Sequence, residues 1–430
     1  MLARFDLRGV EGDLATILAR PETGPDGADD AVAATVREII SDVRSRGDAA
    51  LRELTNRFDG CRLDDLFVPP ATVAAALDAI EPSLRVALEF ARDQILSYHE
   101  SQREPEAHHE RSGVRIRELI VPVERAGLYV PGGRAAYPST VLMTAIPALV
   151  AGVAELALCV PPGTDGAVPV ATLAAAALVG VGEVYRVGGA QAIAALAYGT
   201  ETIRPADVIV GPGNAYVTAA KRQVAGVTGI DSLAGPSEIV IVADETARPD
   251  YVAADLLAQA EHGPGGSAMV VSWSEALLDS VDTEVIRLLD ESQRRDDIET
   301  TLDGGGRAVL VESPIEAIEV VNAVAPEHLE LLTTDADDLV PFVRNAGAVF
   351  CGEYSPAVVG DYVAGVNHVL PTGRTARYAS ALRVDDFVKH VHVVSLDEAA
   401  LRAVAPHVAV LADAEGLDSH ARSVEQRGLR

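Results

Sequence analysis

From Gly113 onward, short runs of β-branched and other apolar residues alternate with alanine-rich stretches of helical spacing. A first group of strand-like runs lies at 127–130, 155–160, 183–187 and 207–210, with helical patterns at 138–153, 168–179, 190–198 and 215–224. A second group reads as strands at 238–243, 268–273, 307–311, 328–332 and 348–351, with helices at 250–262 and 275–293 among them. Strands that are apolar throughout need cover on both faces, so the alternation predicts parallel sheets sandwiched between helices. Two groups of similar size predict an α/β chain of two doubly wound, Rossmann-like domains. The expected division is an amphipathic helical region over 1–112, one α/β domain over 113–236, a second over 237–380, and a helical tail over 381–430. Within the first region, 30–59 and 72–102 carry the helical spacing, and the glycine-rich stretch 226–236 is the expected hinge. In the tail, 391–396 reads as a strand, and 397–412 and 416–426 read as helices.

Composition removes several functions. With 64 acidic against 35 basic side chains the net charge is −29, a field that repels phosphate backbones and anionic membrane surfaces. At 48% hydrophobic and 23% charged residues, the chain has the means to bury large cores and is not a disordered polyelectrolyte. Cys61, Cys159 and Cys351 are scattered and odd in number, which predicts a reducing compartment, no disulfide framework and no thiolate metal site. The uncharged stretch 135–154 contains Pro138 and Pro147 and reads as a buried helix rather than a membrane span. The N-terminal residues lack the apolar core of a signal peptide, so a soluble, cytoplasmic protein is expected.

In open α/β sheets ligands bind beyond the carboxyl ends of the strands, so the turns there are where chemistry is expected. Three of them are glycine-rich: Val130-Pro131-Gly132-Gly133, Val187-Gly188-Gly189-Ala190-Gln191 and Val210-Gly211-Pro212-Gly213-Asn214. Glycine admits a ligand close to the backbone, and a following helix offers free N–H groups to a phosphate. None is a dinucleotide fingerprint, but three in one domain suggest a nucleotide site.

The second group carries the polar residues. Gln259 and His262, at i and i+3, share a helix face and suit either a shared metal ion or simple capping beside a glycine turn. Adjacent Glu327 and His328 supply two proton-transfer groups of different intrinsic pKa. Asp361 and His368 form a patch among apolar residues, and His420 follows Glu415 in the last helical stretch. Taken together, Gln259, His262, Asp361 and His420 offer the N and O donors of a zinc site.

The ordered set RAGLYVPGGRAAYPSTVLMTAIPALVAGV, VYRVGGAQAIAALAYGT, IVGPGNAYVTAAKR, IDSLAGPSEIVIVAD, LLAQAEHGPGG, NAVAPEHLELLT, AGAVFCGEYSPAVVGDYVAGVNHVLPT and EGLDSHARSV resembles histidinol dehydrogenase. The similarity runs from about residue 30 to the C-terminus, in family order and spacing. It implies a zinc-containing homodimer that oxidises L-histidinol to L-histidine through L-histidinal, with two NAD as hydride acceptors. By motif it implies NAD contacts for Tyr129, Gln191 and Asn214, and zinc ligation by Gln259, His262, Asp361 and His420. It places Ser237, Glu327, His328 and Glu415 on the substrate beside the four zinc ligands, with Glu327 and His328 in proton transfer. Glu415 and His420 are implied to come from the partner subunit. One departure stands out: this chain has Gly263 after His262, where many members carry an acidic residue. Two rival readings, a zinc hydrolase and a nucleotide-binding scaffold, leave the glycine turns or the polar donors respectively without a purpose.

Overall fold

The computed structural model describes residues 2–10, 12–18, 28–132, 135–233, 235–263 and 265–427. Gly133 and Pro264, which belong to two of the turns singled out above, lie outside the described residues. In chain order the strands are β1 (Ala3–Asp6), β2 (Phe67–Val68), β3 (Ala107–Arg111), β4 (Val114–Pro122) and β5 (Arg125–Tyr129). They continue as β6 (Glu155–Val160), β7 (Glu183–Arg186), β8 (Val208–Val210), β9 (Gly229–Ile230) and β10 (Glu238–Ala243). The last are β11 (Ser267–Ser272), β12 (Gly306–Leu310), β13 (His328–Leu332), β14 (Ala348–Cys351) and β15 (Val388–Ser395).

Two six-stranded sheets result, with orders β2-β7-β6-β5-β8-β9 and β1-β12-β11-β10-β13-β14. Numbered by first appearance, the five strands after the edge strand run 3-2-1-4-5 in both. All their pairings are parallel except that of β2 with β7. The expected α/β architecture of two doubly wound sheets is therefore present. The first sheet has Leu128, Leu158 and Val184 on one face and Tyr129, Cys159 and Tyr185 on the other, each facing its own apolar core. The second sheet divides in the same way, with Ile239 and Ile241 opposite Val240 and Val242. Each such fully buried aliphatic side chain contributes about 1.5–3 kcal/mol over exposure, which is why these strands are apolar without alternation.

Local signals explain the element ends. The helical region expected over 30–59 is two helices, Ala28–Arg46 and Asp48–Phe58, parted at Gly47 with φ of 53°. The 72–102 region is likewise split into Pro70–Ala79 and Pro82–Glu100, where Pro82, lacking an N–H to donate, is favoured in the first turn of a new helix. The uncharged stretch is the buried helix Pro138–Ala151, stopped by Gly152 in the left-handed conformation. Among the described residues no helix is long and apolar enough to cross a membrane.

The N-terminal region is not helical throughout. It supplies an edge strand to each sheet, β1 beside β12 and β2 beside β7. It also supplies β3, which joins β4 and β15 in a third, antiparallel sheet. These strands are short or exposed, and with only one face or one edge satisfied they lack the apolar runs that mark the central ones.

The stretch expected as a hinge is pinned at its centre. Lys221, fully buried, donates to Gly211 O at 2.8 Å and Ser232 O at 3.2 Å and is ion-paired with Asp231. Asp231 in turn accepts from Gly211 N at 2.8 Å. The pair thus holds the turn after β8 against the connection to the second sheet. Replacing Lys221 by Met leaves a buried carboxylate unpaired and is expected to cost about 3–5 kcal/mol of stability. Urea unfolding measures this; a loss below about 1 kcal/mol, typical of an exposed pair, would contradict the clamp.

Candidate active site

A cavity of about 880 Å³ lies between the two sheets. From the first sheet it takes Pro131, the start of the 138–151 helix at Ser139 and Thr140, and the turn Pro212-Gly213-Asn214. From the second it takes Ser237, His262, Glu327, His328 and Asp361, together with His368. The first sheet presents the carboxyl ends of β5 and β8, as expected. The second sheet presents the amino ends of β10 and β13, contrary to expectation. Glu327 and His328 stand where β13 begins, and Ser237 stands just before β10. The helix Pro249–Ala260 runs back between the parallel strands β10 and β11, so Gln259 and His262, at and just past its end, lie towards the same amino edge.

The turn after β8 has a strict steric requirement. Gly211 has φ of 120°, and a Cβ there would lie 2.0 Å from Tyr129 O. Asn214 caps the next helix, its side-chain oxygen accepting from Tyr216 N at 3.0 Å and Val217 N at 3.2 Å. Asn214 itself lines the cavity. Tyr129 and Gln191 are buried and do not line the cavity; the Tyr129 hydroxyl accepts from Gly189 N at 3.1 Å. They stand behind the second glycine turn rather than on the cavity wall.

The polar centre is His328, boxed between two carboxylates. Its Nε2 lies 3.6 Å from Asp361 Oδ1 and its Nδ1 lies 3.7 Å from Glu327 Oε2, both beyond hydrogen-bond length. Its Nδ1 is buried without a hydrogen-bond partner. Glu327 is anchored separately, accepting from Glu238 N at 2.9 Å. Burial pushes the Glu327 carboxyl up to about 7 against the pull of the adjacent imidazole. For His328 burial acts downward, but Glu327 and Asp361 outweigh it and bring the pKa to about 9. The histidine thus carries its proton at neutral pH while both carboxylates face it. Asp361 is correspondingly lowered, because His328 outweighs its burial. His368 bridges the two halves, its Nε2 3.2 Å from Thr140 Oγ1 and its Nδ1 2.9 Å from Asp361 O. Burial lowers its pKa and favours the neutral ring.

Among the described residues no group of three or more His, Cys, Asp or Glu side chains is placed to hold a metal ion. The expected donor set includes a glutamine, however, and its parts suit a cation. The His262 Nδ1 faces Ala258 O and Gln259 O, each at 3.2 Å, which fixes the proton there and leaves Nε2 with a free lone pair. Gln259 is buried and is not part of the cavity lining; its unpartnered side-chain atom is the amide nitrogen, a donor, so only its oxygen is of the type that binds a cation. Asp361 adds a carboxylate to the same cavity as His262. Glu415 and His420 do not join them: both are exposed, and neither lines the cavity of this chain. Sequence reading had passed over Thr140 and Glu238. A run of hydroxyls at the start of the helix after a glycine turn was the available signal for Thr140; none pointed to Glu238.

Comparison with known proteins adds an independent finding. A family model described as histidinol dehydrogenase matches residues 23–428. The histidinol dehydrogenase of a Synechococcus strain is 52% identical over 406 residues, covering 93% of each chain. That of Geobacillus kaustophilus is 50% identical over 393 residues, covering 91% of this chain and 93% of its own. The crystal structure of the Elizabethkingia anophelis histidinol dehydrogenase has a TM-score of 0.94 to this one at 34% identity, covering 99% of this chain and 98% of its own.

The electrostatics of His328 carry a signed prediction. A histidine whose pKa is raised by folding stabilises the fold fully below its unfolded value and loses that contribution as pH climbs through the folded value. The stability difference between wild type and His328→Asn is expected to shrink as pH rises from 6.5 through about 9. Urea titrations of the metal-free protein across that range measure it. A difference that grew with pH would contradict the arrangement.

Proposed function

This chain belongs to the histidinol dehydrogenase family, and on that premise we propose that it oxidises L-histidinol to L-histidine at the cavity between its two sheets, with NAD as hydride acceptor. The observation that carries the proposal is the buried Glu327–His328–Asp361 row facing the glycine turns across one cavity.

Oxidation of an alcohol to an acid removes four electrons, hence two hydrides. In the first step the carbinol C–H pair leaves as hydride to NAD⁺ and the hydroxyl proton goes to a base, giving the aldehyde. The aldehyde then adds water, and the hydrate gives a second hydride to a second NAD⁺ while its hydroxyl proton goes to a base, leaving the acid. His328 is our candidate for the base. Glu327 and Asp361 raise its pKa in the free chain, and a positive charge beside Asp361 would lower it towards the range of a general base. Glu327, poised near neutral pH, is suited to activate the water of hydration. His368, with one ring nitrogen on Thr140 and the other on the Asp361 carbonyl, holds the segment of Asp361 against the first sheet.

A cysteine thiolate would be the alternative device for aldehyde oxidation. Cys61 and Cys159 are buried, burial raises the pKa of all three cysteines, and none lines the cavity. A covalent thiohemiacetal is therefore disfavoured.

We assign zinc to Gln259, His262 and Asp361. What zinc supplies when bound is a redox-inert Lewis acid that orients the imidazole and amino nitrogens of the substrate. Of the four donors the family resemblance implies, three would come from one chain's own cavity region. The exposure of Glu415 and His420, away from their own chain's cavity, supports their delivery by a partner subunit. The working molecule is then a homodimer. Asn214 holds NAD at the cavity wall, with Tyr129 and Gln191 supporting the turns behind it. Ser237 and Glu415 complete the substrate contacts.

Absorbance at 340 nm follows both oxidations. His328→Asn is expected to lower kcat by about 10²–10⁴-fold, the usual contribution of a positioned proton-transfer group; a wild-type rate would remove His328 as the base. Glu327→Gln is expected to slow oxidation of the aldehyde more than that of the alcohol; equal losses would exclude the hydration role. Tail exchange is tested by mixing His420→Asn and His328→Asn chains after joint unfolding and refolding. With random pairing of exchanged tails, about one quarter of wild-type activity returns. With each tail serving its own site, none does.

A further inference from the structure

One buried acid is absent from the chemistry above. Glu330 lies on β13 two residues beyond His328, on the same face of the sheet, and is fully buried. Its strand neighbours at that level are Ile241 on β10 and Phe350 on β14, so nothing in the sheet compensates a carboxylate there. Its Oε1 accepts from Ala357 N at 2.6 Å, the first residue of the short helix Ala357–Tyr362 that carries Asp361. Its other oxygen faces the carboxyl of Asp255, on the helix that ends at Gln259 and His262, and finds no donor if both acids are ionised. Asp255 and Gln259 are four residues apart and lie on one side of that helix.

Glu330 is buried and Asp255 half-buried, and two facing carboxylates so placed favour one proton between them. Burial raises both groups, in the direction that keeps such a proton. With it, every oxygen of Glu330 is used: one binds the helix of Asp361, the other the helix of Gln259 and His262. The strand of Glu327 and His328 lies between.

We propose that Glu330, sharing one proton with Asp255, is a positioning residue that fixes the spacing of three elements: the helix of Gln259 and His262, the helix of Asp361, and the strand of the Glu327–His328 pair. Glu330 touches neither substrate nor cofactor. The packing around it agrees with a joint: Gly360, one residue before Asp361, is so close to Phe350 that a Cβ would lie 2.5 Å from the ring. The inference rests on the reading of these residues as the active site.

The test uses the full-length enzyme, with zinc affinity measured by competition with a colorimetric chelator and the kinetic constants measured separately. Glu330→Ala is expected to lower both zinc affinity and kcat by about 10–100-fold, the usual cost of losing a group that orients metal ligands. The KM for NAD should stay within about twofold, because the cofactor turns belong to the other sheet. Glu330→Gln reproduces the neutral acid without a shared proton and is expected to restore both quantities to within about threefold of wild type. Glu330→Gln as impaired as Glu330→Ala, or Glu330→Ala unchanged in both, would overturn the proposal. Should Glu330→Ala not fold, Glu330→Gln and Asp255→Asn decide it: near-normal zinc affinity in both supports the joint, and a tenfold loss in both overturns it. His328→Asn at the wild-type rate would instead sink the site reading itself, whatever Glu330 does.

Discussion

Two parallel sheets of the same strand order present opposite ends to one cavity, and most of the site follows from that opposition. The first sheet offers what a doubly wound sheet ordinarily offers at its carboxyl edge: tight glycine turns and helix starts, one of them capped by Asn214. The second offers its amino edge, where β13 begins with Glu327 and His328. A carboxyl edge facing another carboxyl edge would bring two anion-binding ends together. The observed arrangement brings an anion-binding edge against an edge rich in acids and imidazoles. One cavity therefore suits both a negatively charged dinucleotide and a cationic amino alcohol.

Charge inside the cavity is organised by burial rather than by the −29 of the whole chain. His328 is protonated in the free chain because Glu327 and Asp361 overcome the cost of burying its charge. The same coupling makes its basicity conditional on what occupies Asp361. The Lys221–Asp231 pair does different work: it carries no exposed charge to the cavity and holds the Gly211 turn in place.

Much of this was legible in the sequence, for identifiable reasons. The central strands could be read because burial on both faces demands continuous apolar runs, as in 155–160 and 238–243. The edge strands β1 and β2 could not, since four residues or two, paired on one side, leave almost no pattern. Glu327, His328 and His262 stood out by residue type and reached the same cavity. The rule that ligands gather at carboxyl ends misplaced half of the site, because no local feature of the chain records how one sheet faces another. Glu330 was invisible for a related reason. An acid inside the run HLELL resembles an ordinary outward-facing strand residue until β14 and the 249–260 helix cover it.

The central claim is that substrate oxidation occurs against His328, with the cofactor turns on the opposite wall. A crystal structure of the enzyme with zinc, histidinol and NAD tests it most directly. The account predicts the histidinol hydroxyl within about 3.2 Å of the His328 ring, the reach required of a proton acceptor, and the nicotinamide on the side of Asn214. A hydroxyl bound away from His328, with Glu327 and Asp361 still enclosing an uncontacted ring, would contradict it.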